Sequence, residues 1–241
     1  MPLTPIACIA NWRQLPPRRA KAWLARFSPA EQRRLERFAH EDARRQFIAG
    51  RCLARELLSL QAPETERWQL AASGPPHIAQ RPDWQLSISH SGDWIGAALG
   101  PASIGIDLEA THRPRRHLAI ARRYFHDEEA RALAALAGAE RERLFQYMWT
   151  AREAYLKALE TGIADGLKRL RVEARAGAPP RVVLCDGNQG WRFHYQARDG
   201  LVTCVAWQGP PLTLGCWCWR RLRMLPVDGG PASAAQADPR C

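Results

Sequence analysis

Three short segments of this 241-residue chain carry side chains whose types and spacing could do chemistry. In Gly105-Ile106-Asp107-Leu108-Glu109 two carboxylates stand at i and i+2. Alternation along a strand puts both on one face and turns Ile104, Ile106 and Leu108 to the other, predicted to be buried. Two acids on one face invite a cation, and magnesium is the natural occupant where one or two carboxylates leave positions for phosphate oxygens and water. The same pentapeptide also reads as an ordinary amphipathic strand with its acids in solvent. In Trp149-Thr150-Ala151-Arg152-Glu153-Ala154-Tyr155-Leu156-Lys157 the residues Trp149, Glu153 and Lys157 fall on one helical stripe, so a carboxylate stands one turn from an ammonium. A routine pair of that kind on an exposed face is worth only about 0.3 to 0.5 kcal/mol. This one adjoins Trp149 and Leu156, and it uses one of only three lysines, Lys21, Lys157 and Lys168, in an arginine-rich chain. Ser87-Ile88-Ser89-His90-Ser91-Gly92 ends a strand with hydroxyls, an imidazole and a turn, which can hold phosphate oxygens or serve simply as a polar turn.

Other chemistries lack their residues. No G-x-S-x-G supports a serine hydrolase, and no G-x-x-x-x-G-K-[ST] or G-x-G-x-x-G supports a P-loop or Rossmann nucleotide site. Cys216 and Cys218 form a C-x-C that strand alternation explains better than zinc. The seven cysteines follow no regular framework and no signal-peptide pattern opens the chain, which points to a reducing cytoplasm.

Around these segments the chain reads as helix, strands, helices, strands. Ser28 caps a helical stretch reaching about Leu60, with Pro29 in the first turn and Glu31 three residues after the cap. Leu86–His90 and Trp94–Leu99 read as a hairpin, Ile104–Leu108 as a third strand and Thr111–His117 as a basic loop. Helices follow near 127–137 and 140–160, then strands at 170–174, 182–185 and 191–197. The uncharged stretch Leu201–Trp219 is long enough for a membrane helix, but Gln208, Pro210 and Pro211 make it two strands joined by a Gly-Pro-Pro turn. Segregated elements joined by hairpins predict an α+β fold with antiparallel sheet. Beyond Leu225 the composition predicts a disordered tail.

The segments SISHSG, GIDLE and WTAREAYLKALETG, in that order, resemble the signatures of the surfactin-type 4′-phosphopantetheinyl transferases. The likeness extends upstream to P-x-E-x-x-R and A-G-R-x-L-x-R between Pro29 and Arg55, similar to that family's coenzyme-binding helices, and covers about Pro29 to Leu170. The resemblance implies transfer of the phosphopantetheine arm of coenzyme A to a serine of an acyl or peptidyl carrier protein, with magnesium as cofactor and release of adenosine 3′,5′-bisphosphate. It implies two similar α+β lobes related by a pseudo-twofold, each with antiparallel sheet and packed helices, the coenzyme lying in the cleft between them. The lobes would be 1–104, binding the nucleotide, and 105–224, carrying the metal and the catalytic helix, with 225–241 as the tail. Carried over by motif position, Asp107, Glu109 and Glu153 hold the metal. Glu153 is also the base for the carrier's hydroxyl, and Lys157 neutralises a coenzyme phosphate. Ser89 and His90 hold the nucleotide, His90 near the 3′-phosphate, with Arg34, Arg51 and Arg45 as further phosphate contacts.

Two positions depart from the family pattern. Gly74-Pro75-Pro76 stands where relatives have G-K-P, so a phosphate-binding lysine is missing, which leaves either a substitute, Arg81 or an arginine of the first helices, or a lower affinity for the coenzyme. Arg152 replaces the usual lysine before Glu153. The formal charge is +11, with 14 basic against 9 acidic residues up to position 104 and 21 against 15 after it. A spread of this kind suits an anionic partner. The resemblance supplies one, since carrier proteins present an acidic helix beside the modified serine; Arg113, Arg115, Arg116, Arg122 and Arg123 are the docking candidates, a solvated basic loop being the alternative. The charge and the ten tryptophans also raise nucleic-acid binding, but most of the tryptophans sit where core packing accounts for them. No nucleic-acid or membrane partner is expected, and a chain with both lobes is expected to act as a monomer.

Overall fold

A computed structural model describes residues 4–62, 69–71, 74–110, 116–161, 166–175, 178–187, 189–198, 200–216, 233–234 and 236–237. Its fold is α+β, and the chain divides into two compact units between Ile104 and Gly105, with the stretch from Gly209 to Gly230 assigned to the first and the stretch from Pro231 on to the second.

The first unit opens with β1 (Ile6–Asn11), a six-residue apolar run, then a 3₁₀ turn (Trp12–Gln14) and α1 (Pro17–Leu24). Next come α2 (Pro29–Glu36), α3 (Glu41–Gln61), β2 (Gln85–Ser91) and β3 (Trp94–Gly100). The helical stretch from Ser28 to Leu60, whose apolar residues predict a helix pair, is α2 and α3. The Ser28 hydroxyl accepts from the Glu31 N–H, and the Glu31 carboxylate accepts from the Ser28 N–H at 2.9 Å, the reciprocal cap that the spacing predicts. β2 and β3 form the expected antiparallel hairpin, β3 pairs antiparallel with β1, and β1 takes β9 (Thr213–Cys216) on its other side in parallel. Cys52, Leu53 and Leu57 of α3 pack on Ile6, Cys8, Ala97 and Leu99 of this sheet to make the core. Gly50 lets the helix come close: a Cβ there would stand 3.1 Å from Ile88.

The second unit contains β4 (Ile104–Ala110), α4 (His117–Tyr124), α5 (Asp127–Ala134), α6 (Gly138–Ala158), β5 (Leu170–Arg175), β6 (Ala178–Leu184), β7 (Trp191–Arg198) and β8 (Leu201–Gln208). One sheet has the order β10-β7-β8-β4 and the other β11-β6-β5, where β10 is Ser233–Ala234 and β11 is Gln236–Ala237. These two short strands fall in the region read from sequence as a disordered tail. Met148, Tyr155, Val172, Trp191, Phe193 and Cys204 share the core beneath α6.

Three readings are corrected. β1, α1 and α4 are elements that the sequence reading left unassigned. The strands either side of the Gly-Pro-Pro turn do not pair, because β8 lies beside β7 while β9 joins β1 in the first unit. Cys185 is disulfide-bonded, which the irregular cysteine spacing did not suggest, whereas Cys8, Cys52 and Cys204 are buried thiols; Cys218 lies outside the described residues. Among the described residues, no helix is long and apolar enough to cross a membrane.

Candidate active site

The acid-bearing strand is not an amphipathic strand with its acids in solvent. Asp107 and Glu109 are only 5% and 8% exposed, and Ile104, Ile106 and Leu108 are buried on the other side. Gly105 explains how a helix can cover the acidic side. A Cβ at this position would stand 1.9 Å from the Ala154 carbonyl oxygen and 2.7 Å from the Ala158 nitrogen, so the backbone of α6 rests directly on the strand. Lys157 Nζ then donates to Asp107 Oδ1 at 2.6 Å and to the Ile106 carbonyl at 3.4 Å. Towards the other end of the strand, Gln146 Nε2 reaches the Ala110 carbonyl at 3.5 Å. Gln146, Thr150, Glu153 and Lys157 repeat at helical spacing, so α6 runs antiparallel to β4 and the half-buried Glu153 lies between the two contacts, on the stretch that holds Glu109.

The three carboxylates do not close into a ligand cluster. Among the described residues no group of three or more His, Cys, Asp and Glu side chains could hold a metal ion, and the ammonium of Lys157 stands against Asp107. The donor chemistry still fits magnesium. Asp107 and Glu109 offer hard oxygen donors from one side of one strand, and this ion needs only one or two carboxylates when phosphate and water complete its shell.

Arg152, next to Glu153, has a different task. It is fully buried and donates to the carbonyls of Met148 and Leu167 at 2.8 Å and of Leu170 at 3.1 Å, and to the carboxylate of Glu129. Glu129 also accepts from the N–H groups of His126, at 3.0 Å, and Val172, at 2.7 Å. A planar fork with five donors can serve this many acceptors and a lysine cannot, which makes the arginine at this position more than a retained charge. The same device holds the first unit. Glu31 accepts from Arg55 at 2.8 Å, and Arg55 lies 4.8 Å over Phe27 as Arg152 lies 4.0 Å over Phe125. In each unit a phenylalanine, a capping residue and a glutamate three residues later meet a buried arginine of a 21-residue helix. This F-x-x-x-E likeness between Phe27–Glu31 and Phe125–Glu129 is legible in the sequence and was missed there.

The expected nucleotide-binding residues gather in the first unit. Ser89 is buried on β2, while His90, beside it, is exposed on the opposite face. Arg34 and Arg51 both approach the ring of Phe47, at 5.0 and 5.1 Å, and Arg45 lies 5.2 Å over Trp12. Arg51 is the least suited to meet a ligand: it is buried, 4.0 Å from Glu31, and its Nη1 has no hydrogen-bond partner among the described residues. Burial pushes its guanidinium down to about 10, against the pull of Glu31. Arg81, the expected substitute for the missing lysine, is committed elsewhere, with two hydrogen bonds to Asp83 at 2.9 and 2.6 Å and its guanidinium 4.0 Å over Trp84. Of the docking arginines, Arg116 and Arg122 line a groove of about 440 Å³ with His117, Leu118 and Arg141. Arg123 lies over Tyr124, and Arg113 and Arg115 are outside the described residues. Trp12, Trp84, Trp191 and Trp207 are buried, which takes these rings out of any base-stacking surface.

The family model of the 4′-phosphopantetheinyl transferase superfamily matches residues 103–206, which include β4 and α6. Among curated proteins, slr0495 of Synechocystis, named as a candidate 4′-phosphopantetheinyl transferase, is 32% identical over 198 residues, covering 76% of this chain and 80% of its own. The phosphopantetheinyl transferase of Thraustochytrium is 30% identical over 207 residues, covering 78% and 71%. The 4′-phosphopantetheinyl transferase Sfp of Bacillus subtilis is 29% identical over 164 residues, covering 67% and 72%. By these matches, spread over both units, the chain belongs to the 4′-phosphopantetheinyl transferase superfamily, with Sfp-type enzymes among its relatives.

Proposed function

We infer that this protein transfers the 4′-phosphopantetheine arm of coenzyme A to a serine of an acyl or peptidyl carrier protein, releasing adenosine 3′,5′-bisphosphate. The observation that carries this reading is the 2.6 Å contact between Lys157 and Asp107, which joins two motifs 50 residues apart and sets Glu153 beside them. In the reaction the serine oxygen bonds to the coenzyme's β-phosphorus, the bond from that phosphorus to the bridging oxygen breaks, and the serine proton leaves to a base. Glu153, half-buried at the middle of the helical stripe, takes that proton directly or through a water. Lys157 stations a positive charge where the departing diphosphate oxygen gathers negative charge. Asp107 and Glu109 would hold magnesium, with phosphate and water completing its shell and Glu153 left as the base; when bound, the ion neutralises charge on the diphosphate. Residues 1–104 supply the nucleotide contacts through Ser89, His90, Arg34 and Arg45, and residues 105–224 supply the metal and the helix. A monomer suffices in this reading.

The test is direct. Incubated with coenzyme A, Mg²⁺ and a panel of purified carriers, the protein adds a group of about 340 Da to the serine of at least one carrier, the mass of the arm. Chelation by EDTA stops the gain and added Mg²⁺ restores it. No gain on any acyl or peptidyl carrier would sink the reading, and a gain indifferent to EDTA would remove the metal from it.

A further inference from the structure

The hairpin bearing Ser89 and His90 is gripped from outside itself. Ser91 pairs with Trp94 across a two-residue loop, Gly92-Asp93, with Gly92 at φ +56°. A positive φ at the first loop position is the form that glycine adopts without steric cost. The Gly92 carbonyl accepts two side-chain hydrogen bonds, from Trp12 Nε1 and from Gln46 Nε2, each at 2.9 Å. The Asp93 carbonyl accepts from the Trp12 N–H at 3.0 Å, and the Asp93 carboxylate accepts from Arg13 Nε at 2.7 Å, which offsets a negative charge beside the turn. Trp12 is buried, and its ring carries the guanidiniums of Arg13 at 4.4 Å and Arg45 at 5.2 Å. One indole therefore fixes both the turn after His90 and the position of Arg45.

The geometry points to Gln46 and Trp12 as positioning residues for coenzyme recognition, holding the Gly92 turn so that His90 and Arg45 meet the coenzyme's 3′-phosphate as a preformed pair. The inference rests on the reading above that His90 faces that phosphate. Neither Gln46 nor Trp12 needs to touch the ligand. The Trp12 indole N–H and one N–H of the Gln46 amide are spent on Gly92, and what they supply is a site that need not be ordered when the anion arrives.

The experiment measures dissociation constants for coenzyme A and for 3′-dephospho-coenzyme A by calorimetry on the full chain. Gln46→Met removes the amide donors at similar volume. Trp12→Phe keeps a ring beneath Arg45 and deletes the Nε1 donor, and serves as the second variant should the first fail to fold. Each weakens coenzyme A binding by about tenfold and changes binding of the 3′-dephospho form by less than about twofold, so the discrimination between the two falls towards that of His90→Ala. Equal weakening of both coenzymes, or of neither, with His90→Ala still losing its discrimination, overturns the positioning role and leaves the His90 reading intact. Discrimination retained in His90→Ala takes down that reading and this inference together.

Discussion

Glu153 has no chemistry of its own until the strand beneath it is in place, and a glycine sets that arrangement. If Glu153 is the base, Glu153→Gln keeps the fold and lowers the transfer rate at saturating coenzyme by at least about 100-fold. Single-turnover transfer to a carrier measures it, and a rate within threefold of the parent removes the assignment. Gly105→Ala is expected to act at a distance: with no room beside the Ala154 carbonyl, the helix must lift from the strand. Overpacking of this kind costs about 1–3 kcal/mol or more, to be read as a lower urea midpoint together with lost transfer. An alanine tolerated at 105 with transfer intact would show that the close seat is not needed. The acid pair and the Glu-Lys stripe were legible because strand and helix periods alone decide which side chains share a face. The seat at Gly105 was not, since a motif shows that a glycine is present and only packing shows what approaches it.

The elements are held by buried ion pairs that sequence spacing hardly announces. Removing one partner of such a pair leaves a charge in the core at a cost of about 3–5 kcal/mol. Glu129→Ala and Arg152→Ala should each lose that much in equilibrium unfolding, and the double variant should lose clearly less than their sum. Full additivity would mean that the two do not act as a unit. On β7, burial holds the His194 imidazole below its ordinary 6.5. The unfolded chain therefore takes up the proton first as pH falls, so this group's share of stability is present above about pH 6.5 and declines below it. Urea midpoints at about pH 7.5 and 5.5 should diverge more in the parent than in His194→Gln; an equal gap in both would dismiss His194 as a source of acid sensitivity. Most strands and the long helices follow from apolar periodicity, and the short α2 from the Ser28 cap. β1 and α4 were harder to read, because a short apolar run and the sequence HLAIARRY acquire their shape from the sheet and helices they meet.

For the molecule as a whole, the formal charge of +11 should govern how a carrier arrives. With an acidic carrier, kcat/KM falls as salt rises, and Arg122→Glu on the groove lowers it by about tenfold while leaving the dissociation constant for coenzyme A alone. A salt-independent kcat/KM would place recognition in apolar contacts instead. The connection between β1 and β9 has another consequence. Residues 6–9 are joined to partners at 213–216, and the path between them runs through every other described strand and helix of the second unit up to β8. During synthesis the first sheet cannot fill its outer position until residues 213–216 have left the ribosome. Until then the nascent chain carries an open edge of Ile6-Ala7-Cys8-Ile9, the kind of unpaired strand that invites pairing with another chain, and it stays open until translation delivers β9.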